Sequence, residues 1–190
     1  MNRVAVFFPG LGYHHDKPLL YYSRDIAYEY GYRELVKVEY SYEKKGIKGD
    51  AEKMRLAFDE IYRQSEVQLS EIDFSKYDDI LFVSKSIGTI VAAKYAKERG
   101  LSVANVLYTP LSETFDFQPQ NAIAFTGTAD AWVDYEIVKK RSADAVIPVS
   151  VYVGANHSLE TDDTITNLKI MMDVMDRTRR HIIPGSEIQE

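Results

Sequence analysis

Three residue types that cooperate in acyl transfer occur in order along the chain: Ser86, Asp130 and His157. A serine hydroxyl is a weak nucleophile until an imidazole takes its proton. The imidazole works best when a carboxylate holds its tautomer and steadies the imidazolium. Each of the three follows a short apolar run. Ser86 stands in Lys85-Ser86-Ile87-Gly88 after residues 79–84, Asp130 in Gly127-Thr128-Ala129-Asp130 after 121–126, and His157 in Gly154-Ala155-Asn156-His157 after 147–153. Asp134 and Asp116 are the other candidate acids, and Asp130 is preferred because it directly follows the Gly127 turn. The stretch Ser84-Lys85-Ser86-Ile87-Gly88 has small residues on either side of the serine, as an abrupt strand-to-helix turn requires. The amide of Ile87 would then sit at a helix N-terminus, aimed at a developing oxyanion. A second amide would come from Leu11 or Gly12 in the loop after residues 3–8.

The elements that must position these groups alternate. Apolar runs of strand length lie at 3–8, 35–41, 79–84, 103–108, 121–126 and 147–153. Between them, segments with helical spacing cover 18–30, 51–69, 87–99, Asp134–Ala143 and Asp163–Arg177, with Asp162 or Asp163 as a cap for the last. Such alternation predicts an α/β fold with about six parallel strands and helices on both faces. All strand C-termini then share one edge, where ligands bind in sheets of this kind. No linker, repeat or low-complexity tract divides the sequence, so residues 1–190 are expected to form one domain.

The chain resembles the α/β-hydrolase superfamily, particularly its small, lidless bacterial serine hydrolases, over about residues 3–176. Ser84-x-Ser86-x-Gly88 is similar to the family's nucleophile elbow, with serine replacing the first glycine. Gly127–Asp130 resembles the acid turn, Gly154-Ala155-Asn156-His157-Ser158-Leu159 the histidine turn, and Pro9-Gly10-Leu11-Gly12-Tyr13 the oxyanion loop. The resemblance implies a three-layer sandwich. It also implies Ser86 as nucleophile, Asp130 as acid, His157 as base, and the amides of Leu11 and Ile87 as oxyanion donors. The family's antiparallel N-terminal strands have no counterpart before residue 3. Only Thr109–Gln120 stands where a lid would enter, so no lid domain is expected. The open site would be lined by Gly12, Tyr13, Phe115 and Trp132, with Phe117 at its lip. The reaction implied is hydrolysis of a small ester or thioester through an acyl-enzyme, with no cofactor. The other reading is a non-catalytic small-molecule-binding module on the same scaffold.

Bulk properties narrow the field. The formal net charge of −6 argues against a nucleic-acid partner. The basic cluster Arg177, Arg179, Arg180 and His181 reads as a solvated helix end. The absence of cysteine excludes disulfides and thiolate metal sites. No apolar stretch approaches a membrane span, and Val4–Phe8 stops at Pro9-Gly10 rather than continuing as a signal peptide, so a cytoplasmic location is expected. His14, His15 and Asp16 invite a metal reading. Neighbouring side chains in an extended loop diverge, however, so exposed or pocket-lip histidines and no metal are expected. Gly10-x-Gly12 with Glu39 starts like a dinucleotide fingerprint, but His15 occupies the third glycine position. Lys85 reads as a solvated lysine on the elbow; the other reading is a contact for an anionic substrate. The many tyrosines, Tyr21 to Tyr32 among them, read as packing residues.

Overall fold

The computed structural model describes residues 1–42, 46 and 49–183. Among these residues six strands form one parallel sheet: β1 (Arg3–Phe8), β2 (Glu34–Lys37), β3 (Asp79–Lys85), β4 (Ala104–Tyr108), β5 (Ala122–Gly127) and β6 (Val149–Tyr152), in the spatial order β2-β1-β3-β4-β5-β6. The helices are α1 (Pro18–Glu29), α2 (Ala51–Leu69), α3 (Ile87–Arg99), α4 (Tyr135–Asp144) and α5 (Thr164–Ile182), with 3₁₀ turns at Phe74–Lys76 and Ser112–Phe117.

Alternation along the central strands divides the core in two. Val4, Val6, Phe8, Ile80 and Phe82 face Ala57 and Ile61 of α2 and Ile90 and Val91 of α3. Ala5, Phe7, Leu81 and Val83 face Leu19 and Leu20 of α1 and Ile170 and Val174 of α5. The result is a three-layer α/β sandwich, with no lid among the described residues. Helix starts follow local chemistry: Pro18 opens α1, and the carboxylates of Asp50, Asp134 and Asp163 cap α2, α4 and α5 by accepting backbone N–H bonds. Gly100, in the left-handed region, ends α3.

Two boundaries differ from the sequence reading by more than two residues. The second strand ends at Lys37, not at residue 41, because helix side chains replace a neighbouring strand beyond it. Gln68 bonds both the N–H and the carbonyl of Glu39, and Gln64 does the same for Ser41. Helix α5 runs past Arg177 to Ile182, carried by burial of Thr178 and Ile182. Its basic residues pair with acids on the same helix, Arg177 with Asp173 and both Arg179 and Arg180 with Asp176. Among the described residues no helix is long and apolar enough to cross a membrane.

Candidate active site

The order of the sheet reverses between β1 and β3, and the candidate residues gather at the strand C-termini beside that point. Ser86 lies between β3 and α3 with φ 55° and ψ −126°, a region that non-glycine residues seldom adopt. Its N–H donates to the Tyr108 carbonyl at 3.0 Å, and its own carbonyl accepts from the Thr89 N–H and hydroxyl at 2.9 and 2.6 Å. The tight turn depends on Gly88, where a Cβ would come within 2.5 Å of the carbonyl oxygens of Phe8 and Pro9. Ser84, the departure from the family elbow, is fully buried and donates to the Val106 carbonyl at 3.2 Å, so the extra hydroxyl is satisfied inside the sheet.

His157 bridges the other two groups. Its Nε2 lies 2.7 Å from Ser86 Oγ, and its Nδ1 lies 2.7 Å from Asp130 Oδ2. The second oxygen of Asp130 accepts the Trp132 N–H at 2.8 Å, and the aspartate side chain has no exposure to solvent. Asp134 is occupied as the cap of α4, and Asp116 pairs with Arg141 at 2.6 Å. Of the three acids, therefore, Asp130 is the one that meets the imidazole.

The acid and histidine loops are laced together. The Thr128 hydroxyl accepts the Gly154 N–H at 2.8 Å, and the Ala129 N–H donates to the Ala155 carbonyl at 2.9 Å. The Asn156 side chain accepts the N–H groups of Ser158 and Glu160, closing the turn around His157. Thr109, itself at φ 42°, donates its hydroxyl to the His157 carbonyl at 3.1 Å. The sequence reading missed Thr109, because nothing in a lone threonine after a strand marks a supporting role.

The first loop packs directly on the serine. Gly10 and Tyr13 exchange two backbone bonds around a turn in which Gly12 has φ 78°. A Cβ on Gly10 would lie 3.2 Å from Ser86 Cβ. Among the described residues, no protein acceptor takes the Leu11 or Ile87 N–H. A cavity of about 170 Å³ opens here, and Leu11, Gly12, Tyr13, Ser86, Ile87, Trp132 and His157 all contribute to its wall. The Trp132 ring stacks on the imidazole with centroids 5.7 Å apart.

Three expectations about single site residues need correction; in addition, Phe117 is not part of this cavity wall, and Tyr21, Tyr22 and Tyr28 are exposed rather than packed on the sheet. Phe115 does not line this cavity. It is 4% exposed in the core, beneath the Arg141 guanidinium, because the 3₁₀ turn directs it inward, and Met54 and Leu111 complete the wall instead. His15 is buried rather than at a lip, with Nε2 bonded to the Val38 carbonyl at 3.0 Å, and burial lowers its pKa. His14 is exposed, and no metal-holding cluster occurs among the described residues.

The third correction concerns Lys85, which is 1% exposed rather than solvated. It shares a strand face with Leu81 and Val83, so the alternation of β3 carried the signal. Its Nζ lies 5.1 Å from the centroid of the Tyr13 ring. Burial pulls its pKa down to about 7, against the opposing pull of Asp130 and Glu160. A lysine whose pKa falls on folding leaves the unfolded chain holding more protons between about pH 7 and 10, so stability rises with pH across that window. Lys85→Met should therefore raise Tm most at pH 6 and progressively less toward pH 9. Equal Tm changes at both pH values would contradict an ammonium held at a cost.

Several solved structures share this fold. A serine hydrolase homologue from Coxiella burnetii superposes with TM-score 0.61 at 17% identity, covering 93% of this chain and 84% of that one. A serine hydrolase without a lid from Xanthomonas campestris gives TM-score 0.61 at 14% identity, over 97% and 84%. An esterase from Pyrococcus furiosus gives 0.62 at 11%, over 95% and 82%. No family model and no curated protein sequence matches the chain. At these identities the likeness is one of fold: the chain has the α/β-hydrolase fold, with no lid among the described residues.

Proposed function

We propose that this protein is a serine hydrolase that cleaves an ester or thioester of a small molecule through an acyl-enzyme. The observation that carries this reading is the continuous relay from Asp130 through His157 to Ser86, with 2.7 Å at each step. Ser86 Oγ attacks the carbonyl carbon while His157 Nε2 takes its proton. Asp130 holds the imidazole with Nδ1 protonated and steadies its positive charge. The N–H groups of Leu11 and Ile87 stabilise the oxyanion, and the dipole of α3 adds to the second. His157 then protonates the leaving alcohol or thiol. Water, deprotonated by His157, attacks the acyl-serine and releases the acid. The chemistry uses only these side chains and amides, with no cofactor.

Trp132, over the imidazole and 43% exposed, would shield the ion pair on one side and leave the entrance open, which suits a small substrate. The reading is tested by the pH dependence of ester hydrolysis. An imidazole that must accept a proton is disabled once protonated, so kcat/KM should fall on the acid side of neutrality. A profile flat from about pH 5 to 8 would rule out His157 as the base.

A further inference from the structure

The relay accounts for Ser86, His157 and Asp130, but not for the lysine beside them. Lys85 lines the same cavity as Ser86, almost wholly removed from solvent. Both residues flank one point of the first loop: a Cβ on Gly10 would lie 3.2 Å from Ser86 Cβ and 3.5 Å from Lys85 Cγ. Among the described residues no carboxylate comes within ion-pair distance of Lys85; its Nζ faces the ring of Tyr13, with Asp130 and Glu160 acting at longer range. Buried lysines are ordinarily paired, because an unpaired ammonium loses its hydration with little return.

We infer that Lys85 is a specificity-determining residue whose ammonium receives a carboxylate on the acyl part of the substrate, making the preferred substrates short monoesters or monothioesters of dicarboxylic acids. The inference rests on the hydrolase reading for the scissile bond, but not for recognition of the anion. Apart from His157, which the relay uses, Lys85 is the one basic group on the described cavity wall. A single ammonium matches a monoanionic carboxylate, whereas a phosphate dianion calls for several donors. The cavity of about 170 Å³ has room for an acyl part of a few carbons. Glu160 and Asp130 favour the charged form of the lysine, and an incoming carboxylate adds to that pull against the desolvation that opposes it.

The test compares monoethyl succinate and monoethyl glutarate with ethyl pentanoate and ethyl hexanoate, following acid release by titration. In the wild type, the charged esters should exceed the neutral ones in kcat/KM by at least about tenfold, the scale of one desolvated charge pair. In Lys85→Met that ratio should fall by about the same factor. Lys85→Gln serves as a second variant should the first not fold. A wild-type ratio of one or less, or a ratio unchanged in the variants, overturns the inference. Calorimetric titration with glutarate separates this from the hydrolase reading, since binding requires no turnover. If the wild type cleaves no ester, that reading has failed. Glutarate binding that is lost in Lys85→Met would still support the lysine's role, and binding that is absent or undiminished would overturn it.

Discussion

Ser86→Ala is expected to lower ester turnover by about 10⁴- to 10⁶-fold, the range seen when a relay serine is removed. The substitution leaves no acceptor for an acyl group and should not unfold the chain. Ser86 is held at φ 55° by the bond from its N–H to Tyr108 and by Thr89 on its carbonyl, and none of these uses its side chain. Ser86→Gly separates chemistry from stability more sharply. Glycine occupies this backbone region without steric cost, so the variant should match or exceed the wild-type Tm while being equally inactive. Turnover within tenfold of wild type in either variant, measured on contaminant-free protein, would remove Ser86 from the mechanism.

Gly127→Ala should be the most damaging small substitution in the acid loop. Gly127 needs space rather than an unusual conformation: a Cβ there would stand 2.1 Å from the Ala155 carbonyl oxygen and 2.6 Å from its carbon. The obstructing atoms are backbone, and they belong to the loop that carries His157. To relieve the clash, the acid and histidine loops must separate, which stretches the 2.9 Å bond from Ala129 to Ala155 and the contact between Asp130 and His157. The expected cost is about 2–4 kcal/mol of stability. Turnover should fall at least about 100-fold even at temperatures where the variant stays folded, because displacement of a relay by a fraction of an ångström is severely penalised. Unchanged Tm and turnover would mean that the two loops are not braced against each other in this way.

Much of this architecture was legible in the sequence because each strand is short, β-branched and closed by turn residues. Small residues around Ser86 marked the sharp turn, and the position of Asp130 after Gly127 separated it from Asp134 and Asp116. What escaped depended on contacts distant in sequence. The end of β2 is decided by Gln64 and Gln68 reaching from α2. Phe115 follows a 3₁₀ turn whose inward direction no periodicity announces. Thr109 matters only because the His157 carbonyl comes within reach of its hydroxyl. Lys85 is a different kind of miss. The alternation of Leu81, Val83 and Lys85 placed it inside, and the habit of putting lysine in water overrode the pattern.

The most direct test of the relay is labelling of the wild-type protein, Ser86→Ala and His157→Ala with a fluorophosphonate, which reacts with an activated serine and needs no knowledge of the substrate. The relay predicts that the wild type labels once, at Ser86, and that both variants fail to label while remaining folded. A folded wild type that does not label, or a Ser86→Ala variant that labels as the wild type does, would contradict it.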